Sequence, residues 1–97
     1  DTYFLPITSH DTIGPVGLWA AAHLMLHIPN ALIMETVRSY TYAEGWYGDV
    51  VTDHIPIAEG HLSLPAKPGL GTRLRDDFTS RPNACVEITT ENDLKNW

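Results

Sequence analysis

The chain has 97 residues, enough for one small domain, and carries a formal net charge of −6 at pH 7. Its six Lys and Arg residues are scattered singly, so the sequence predicts neither a nucleic-acid partner nor binding to an anionic membrane surface. With 43% hydrophobic and 19% charged residues the composition excludes intrinsic disorder, and no apolar run reaches the ~20 residues of a membrane helix. The single cysteine, Cys85, excludes an internal disulfide and favours a reducing, cytoplasmic location.

Two short apolar runs and a longer one between them organise the first third of the chain. Residues 5–8 and 30–34 lack alternation, which predicts buried strands, and the apolar run at 16–28 predicts a helix. Pro15 precedes this run at a position that favours helix starts, and Pro29 ends it. Two such strands joined by a helix predict a right-handed parallel βαβ unit with both faces of its sheet covered. The helix has almost no polar face, so it needs more cover than the rest of the chain obviously supplies.

The second half of the sequence predicts short strands separated by turns. The predicted turns lie at 59–60, 68–71 and 81–83, and the predicted strands lie at 61–65, 72–74 and 85–89. The Gly-rich segment 68–71 lacks the Lys-Ser/Thr that follows a phosphate-binding loop, so a tight turn is favoured. Cys85 lies in a strand-like run and is predicted to be a core thiol. The polar tail at 91–97 is predicted to fray.

An ionisable residue lies just beyond each strand of the predicted βαβ unit. The carboxyl ends of parallel strands face the crevice in which α/β sheets bind ligands. Histidine side chains can act as general bases near neutral pH, which makes His10 a candidate base. Glu35, if kept protonated by desolvation, can donate a hydrogen bond to an oxyanion. Other interpretations stay open: a helix-capping or solvent-facing His10, and an ion pair of Glu35 with Arg38. The two residues together favour a catalytic pair.

Further residues have a structural and a functional interpretation each. Asp11 adjoins the candidate base, but neighbouring side chains usually point apart, so a substrate or loop contact is favoured over a role in orienting the imidazole. His23 and His27 have the four-residue spacing of zinc ligands on a helix but lack a third ligand, so packing is favoured and no metal site is predicted. Trp46 and Tyr47 are compatible with either a pocket wall or core packing.

Several motifs stand in an order that resembles the carboxyl-terminal part of the enolase superfamily. The motifs are SHDTIGPV, HIPNALIMET, the aromatic GWY and AEGHLSLPAKPGLGTRL. They look most like the mandelate racemase branch and, within it, the acid-sugar dehydratases of the galactonate type. The Gly-x-Leu-x-Leu-Pro…Pro-Gly-Leu-Gly close is the most specific feature. The resemblance covers nearly the whole chain and weakens after about residue 78.

The resemblance implies a fold and a division of the chain. Members of the family are (β/α)7β barrels of the TIM type with an α+β capping domain made from both termini. Residues 1–36 would then form the last βαβ portion of the barrel, and residues 37–97 its closing segment and the carboxyl-terminal part of the cap. A whole barrel takes about 250 residues, so the chain is expected to be a fragment that lacks turnover on its own. A full-length homo-oligomer is expected.

The resemblance also implies a chemistry. His10 matches the family's base at the end of the seventh strand, and Glu35 matches the acid at the end of the last strand. Asp11 and Trp46 are assigned to substrate binding. The base would take the proton α to the carboxylate of an aldonate or aldarate, Mg²⁺ and the acid would stabilise the enediolate, and loss of water would give a 2-keto-3-deoxy acid. The Mg²⁺ ligands and the sixth-strand Asp that usually holds the base are expected upstream of residue 1.

Two alternatives to a dehydratase stay open. A racemase or epimerase of the same branch would use the same two residues, because both reactions begin with abstraction of the α proton. A free-standing, non-enzymatic module that reuses this piece of the fold for binding belongs to a different class. The sequence upstream of residue 1 would separate the dehydratase from the racemase or epimerase, and the solution behaviour of the isolated chain would test the free-standing module.

Overall fold

The computed structural model describes residues 3–12, 14–37 and 45–90. The elements in chain order are β1 (Ile7–Ser9), α1 (Pro15–His27), β2 (Ala31–Met34), α2 (Tyr47–Val50), β3 (Ile57–Ala58) and β4 (His61–Leu62). Arg38, the predicted alternative partner of Glu35, and the tail predicted to fray lie outside the described residues. None of the helices within the described ranges is long and apolar enough to cross a membrane.

Helix α1 begins and ends where the prolines predict. Pro15 takes the first helical position, where its fixed φ suits the helix and its missing N–H would have no partner anyway. Gly14 precedes it with φ +124°, a conformation that L side chains rarely adopt. At the other end Ile28 is extended, with φ −81° and ψ 136°, because the ring of Pro29 disfavours helical backbone in the residue before it. The predicted helix is confirmed to within one residue at each end.

The predicted parallel pairing of the two strands is confirmed. β1 runs parallel to β2, with Ile7 opposite Ala31 and Ser9 opposite Met34. The ladder starts two residues later than predicted and includes Ser9, which was expected in the loop. Pro6, which has no N–H to donate, directly precedes the strand.

The core lies between α1 and the segments that follow residue 45. Its buried side chains are Leu18, Trp19 and Ala22 from the helix together with Tyr47 and Ile55. Partly buried apolar residues complete it: Met34, Ile57, Leu62, Leu64 and Leu70. The sheet is not covered on both faces by the described residues, since Leu32 and Ile33 are exposed, as are Leu24 and Leu26 on the helix. The described residues therefore do not supply the predicted cover on both faces of the βαβ unit.

The turns of the second half form where they are predicted, but the strands are shorter. β3 pairs antiparallel with β4 across the turn at 59–60, and the predicted strand at 72–74 is reduced to a single antiparallel bridge from Leu74 to Val51. The Gly71 amide donates to the carbonyl of Pro68 at 3.2 Å, which confirms a tight turn in place of a phosphate loop. The turn at 81–83 is likewise closed by a hydrogen bond.

The predicted strand at 85–89 is wrong, and so is the predicted core position of its thiol. The segment has no regular structure, and Cys85, Val86 and Ile88 are all exposed. A run of apolar residues forms a strand only where a neighbouring strand pairs with its backbone, and no strand among the described residues does so here.

Candidate active site

The two candidate catalytic side chains lie side by side at one edge of the sheet. Because β1 and β2 are parallel, their carboxyl ends meet at the same edge, and His10 and Glu35 each follow a strand there. His10 Nε2 lies 3.7 Å from Glu35 Oε2. The structure therefore brings together the base and the acid that the sequence singles out, while their catalytic roles stay a prediction.

Both side chains of this pair face solvent. The side chain of His10 is 65% exposed and that of Glu35 is 54% exposed. An ion pair this exposed contributes little to the stability of the fold. Glu35 is therefore not desolvated by the described residues, and its position in a ligand-binding crevice stays a prediction.

Asp11 lies behind the pair, in the interior. It is 1% exposed. Its Oδ2 accepts a hydrogen bond from the Thr36 hydroxyl at 2.9 Å, and the Tyr47 hydroxyl lies 3.2 and 3.3 Å from its two carboxylate oxygens. Hydroxyl donors offset much of the cost of burying a carboxylate. Of the two contacts predicted for Asp11, the loop contact is present in these hydrogen bonds, and a direct substrate contact stays a prediction.

The two aromatic residues of the GWY motif lie in different environments, one in the core and one at a pocket wall. Tyr47 is 2% exposed and belongs to the core, whereas Trp46 packs edge-on against it, with ring centroids 4.6 Å apart, and is 44% exposed. Trp46 lines a surface pocket of about 340 Å³, whose other walls include Asp49, Phe78, Arg81 and Cys85. Neither member of the catalytic pair lines this pocket. Whether Trp46 contacts substrate is not tested by this geometry, and that role stays a prediction.

Of the two helix histidines, His23 has the packing role that the sequence favours. His23 Nε2 lies 3.0 Å from the carbonyl of Leu70, to which the ring N–H donates, while His27 is exposed. In residues 3–12, 14–37 and 45–90 no group of three or more His, Cys, Asp or Glu side chains could hold a metal ion. The described ranges thus supply no such cluster, and the placement of the Mg²⁺ ligands upstream of residue 1 stays a prediction.

The sequence reasoning missed two groups of polar residues. Thr36 has no role in the sequence prediction, and Tyr47 is considered there only as a pocket wall or core residue. Thr36 follows Glu35 as Asp11 follows His10, and this equal offset from two paired strands is a readable signal. Asp53 was also missed: a hydrogen bond from the Lys67 ammonium, and then one from the Thr52 hydroxyl, hold the pKa of this carboxyl below its ordinary value.

Comparison with known proteins agrees with the motifs and the fold. A family model described as enolase C-terminal domain-like matches residues 1–78. The D-xylonate dehydratase of Haloferax volcanii is 38% identical over 74 residues, which are 76% of this chain and 17% of that protein. The crystal structure of an enolase of the mandelate racemase subgroup from Agrobacterium tumefaciens is 39% identical with a TM-score of 0.66, and the match covers 78% of this chain and 19% of that one.

An enolase protein from environmental sequencing of the Sargasso Sea gives the same identity, 39%, with a TM-score of 0.73 over 84% of this chain and 21% of its own. The chain thus spans about a fifth of the length of the relatives it matches. The resemblance seen in the sequence is confirmed: this chain belongs to the enolase superfamily, as a member of its C-terminal domain-like family.

Proposed function

We propose that this chain is the carboxyl-terminal part of a larger acid-sugar dehydratase. The observation that carries the proposal is the 3.7 Å approach of His10 to Glu35 at the carboxyl edge of two parallel strands, in a chain 38% identical to a D-xylonate dehydratase. Residues 1–36 form the last βαβ portion of a (β/α)7β barrel, and residues 37–97 close it and join the cap. The exposed apolar side chains of β2 and α1 support this, because neighbouring strands and helices of a barrel would cover them.

In the proposed reaction both residues act on one sugar acid. Neutral His10 accepts the proton from the carbon next to the substrate carboxylate, and the electron pair left behind moves into the carboxylate to give an enediolate. Glu35, kept protonated by the cover that the rest of the barrel would supply, donates a hydrogen bond to an enediolate oxygen. The hydroxyl on the β carbon then leaves as water with a proton from the imidazolium, and the resulting enol tautomerises to a 2-keto-3-deoxy acid.

The remaining components lie outside this chain. Enzymes of the enolase superfamily generally use Mg²⁺, and we place its ligands upstream of residue 1, because the described residues offer no suitable cluster. The substrate is an aldonate or aldarate, the enzyme is an oligomer, and its location is cytoplasmic.

A racemase or epimerase is the second candidate function. It is favoured by the likeness to a structure of the mandelate racemase subgroup, and it needs the same α-proton abstraction. The two candidates differ after the enediolate: a racemase returns a proton to the α carbon, whereas a dehydratase loses the β hydroxyl.

The proposal is tested on the longer polypeptide, obtained by extending the coding sequence upstream to its first in-frame start. With Mg²⁺ and D-xylonate, D-gluconate or D-galactonate, we expect a 2-keto-3-deoxy acid to form. His10→Asn and Glu35→Gln should each lower kcat/KM by about 10²–10⁴-fold, the range expected for loss of a general acid or base.

Two matched variants serve as controls. His61 is an exposed histidine that contacts the backbone of its own turn, and Glu87 is an exposed carboxylate. His61→Asn and Glu87→Gln should leave kcat/KM within about twofold, as is usual for exposed positions. Exchange of the α proton with D₂O without loss of water would favour the racemase. An active His10→Asn variant would overturn both candidates.

A further inference from the structure

A buried hydrogen-bonded cluster lies directly behind the exposed catalytic pair. It consists of the Asp11 carboxylate and the hydroxyls of Thr36 and Tyr47. We propose that Asp11 is a positioning residue, which sets the spacing of His10 and Glu35 by tying together the two loops that carry them. This inference rests on the proposed function, because the pair it positions is the proposed acid and base.

Two successive hydrogen bonds link the loops that carry the pair. On one side, the backbone ladder between the strands ends with the hydrogen bond from the Glu35 amide to the Ser9 carbonyl, at 2.8 Å. On the other side, the next link between the two loops is the hydrogen bond from the Thr36 hydroxyl to Asp11, at 2.9 Å. His10 lies between the two links on its loop. On the other loop, Glu35 itself donates the first link and directly precedes Thr36, which donates the second.

The cluster and the pair differ in burial, and therefore in how firmly the surrounding residues hold them. Within this chain the side chains of the pair are more than half exposed, so packing against the described residues does not fix their positions. Asp11 and Tyr47, in contrast, are 1% and 2% exposed, and leaving a buried carboxylate without its donors is costly. Tyr47 begins α2 and belongs to the core, so it ties the loop contact to the packed interior. The buried cluster therefore fixes the relative position of the two loops, which contacts of the exposed side chains do not fix.

The expected effect of loosening this cluster is on turnover. A catalytic group displaced by about 1 Å can cost about 10²-fold in rate, because proton transfer depends steeply on the alignment of donor and acceptor. Loss of the contact between Asp11 and Thr36 lets the loops move apart at the catalytic edge. The sugar acid is held in addition by groups elsewhere in the enzyme, so its binding should change little.

Thr36→Val and Thr36→Ser form a matched pair of variants for the test. Valine keeps the shape of threonine but removes the hydroxyl, whereas serine keeps the hydroxyl and loses a methyl group. In the longer polypeptide, with Mg²⁺ and D-xylonate, Thr36→Val should lower kcat at least tenfold with KM within twofold. Thr36→Ser should keep kcat within about threefold. A purely structural contact would lower the Tm of Thr36→Val and leave its kcat at 25 °C unchanged.

Crystal structures of the same two variants give a readout that is independent of activity. We expect the distance from His10 Nε2 to Glu35 Oε2 to change by about 1 Å or more in Thr36→Val and to be retained in Thr36→Ser. Equal kcat values for the two variants, or an unchanged distance in Thr36→Val, would overturn the positioning role. If the unmodified enzyme dehydrates no sugar acid, the proposed function fails, and the two crystal structures alone decide whether the buried cluster sets the spacing.

Discussion

Substitution of Gly71 by alanine should destabilise the fold through a single aromatic ring. Gly71 has φ +88°, and a Cβ at this position would lie 2.8 Å from Cζ3 of Trp19. The ring has no room to withdraw: Trp19 is 1% exposed, lies in the core cluster, and its indole N–H donates to the carbonyl of Asp53 at 3.3 Å. The added methyl group therefore meets a fixed neighbour.

The magnitude has two parts. A non-glycine residue in left-handed backbone costs about 1–2 kcal/mol, and overpacking of a core contact costs about 1–3 kcal/mol more. Gly69 offers a control in the same turn, because it has φ +62° and no heavy atom lies within 4 Å of the place that an added methyl group would take. Gly69→Ala should therefore show the backbone cost alone, and Gly71→Ala the sum of both costs.

Thermal unfolding of the longer polypeptide, followed by circular dichroism, measures the difference. We expect the Tm of Gly71→Ala to lie at least about 2 °C below that of Gly69→Ala, since 1 kcal/mol shifts Tm by roughly 2–4 °C in larger domains. Equal Tm values would refute the reasoning, because they would mean that the ring yields or that the turn does not pack on it.

Two further predictions concern polar contacts. One contact joins the first half of the chain to the second, and the other lies within the second half. His23→Phe should lower the free energy of unfolding by about 1 kcal/mol through loss of the hydrogen bond to Leu70. His27→Phe, at an exposed site, should have little effect. Urea titration of both variants measures the difference. The hydrogen bond from Lys67 holds the pKa of Asp53 below its ordinary value, so this contact stabilises the fold above that ordinary value, and its contribution is lost as the pH falls through the lowered pKa. The Tm difference between the unmodified protein and Lys67→Met should thus be present at pH 7 and shrink as the pH falls through the lowered pKa, and a difference that does not change with pH would contradict the assignment.

The helix and the parallel pair were predictable because local rules act on them alone. Pro15 and Pro29 fix the ends of α1 through backbone sterics, whatever surrounds the helix. The unalternating strands on either side indicate a parallel pair, and parallel pairing then places His10 and Glu35 at one edge. The geometry of the candidate pair thus follows from the sequence in two steps, each with one dominant cause.

The errors lie where the outcome depends on a partner. The run at 85–89 has strand-like composition, but its pairing depends on what lies beside it, and its apolar side chains stay exposed. The buried polar residue Asp11 shows the same dependence on a partner that is distant in the sequence. Sequence reasoning placed it near the candidate base, but its burial depends on the Tyr47 hydroxyl, 36 residues away. A contact at that separation leaves no periodic trace in the sequence.

The division between exposed and buried polar groups explains how a solvent-facing edge can hold a defined geometry. The proposed base and acid, His10 and Glu35, have to be reached by a dissolved substrate, and both side chains are more than half exposed in this chain. Of the residues that follow them, Asp11 is buried, and its hydrogen bond from the half-buried Thr36 joins the two loops one residue beyond the pair. Each loop thus has one exposed residue followed by one residue that links it to the other loop. The proposed alignment of the pair rests on the short covalent link between these two positions.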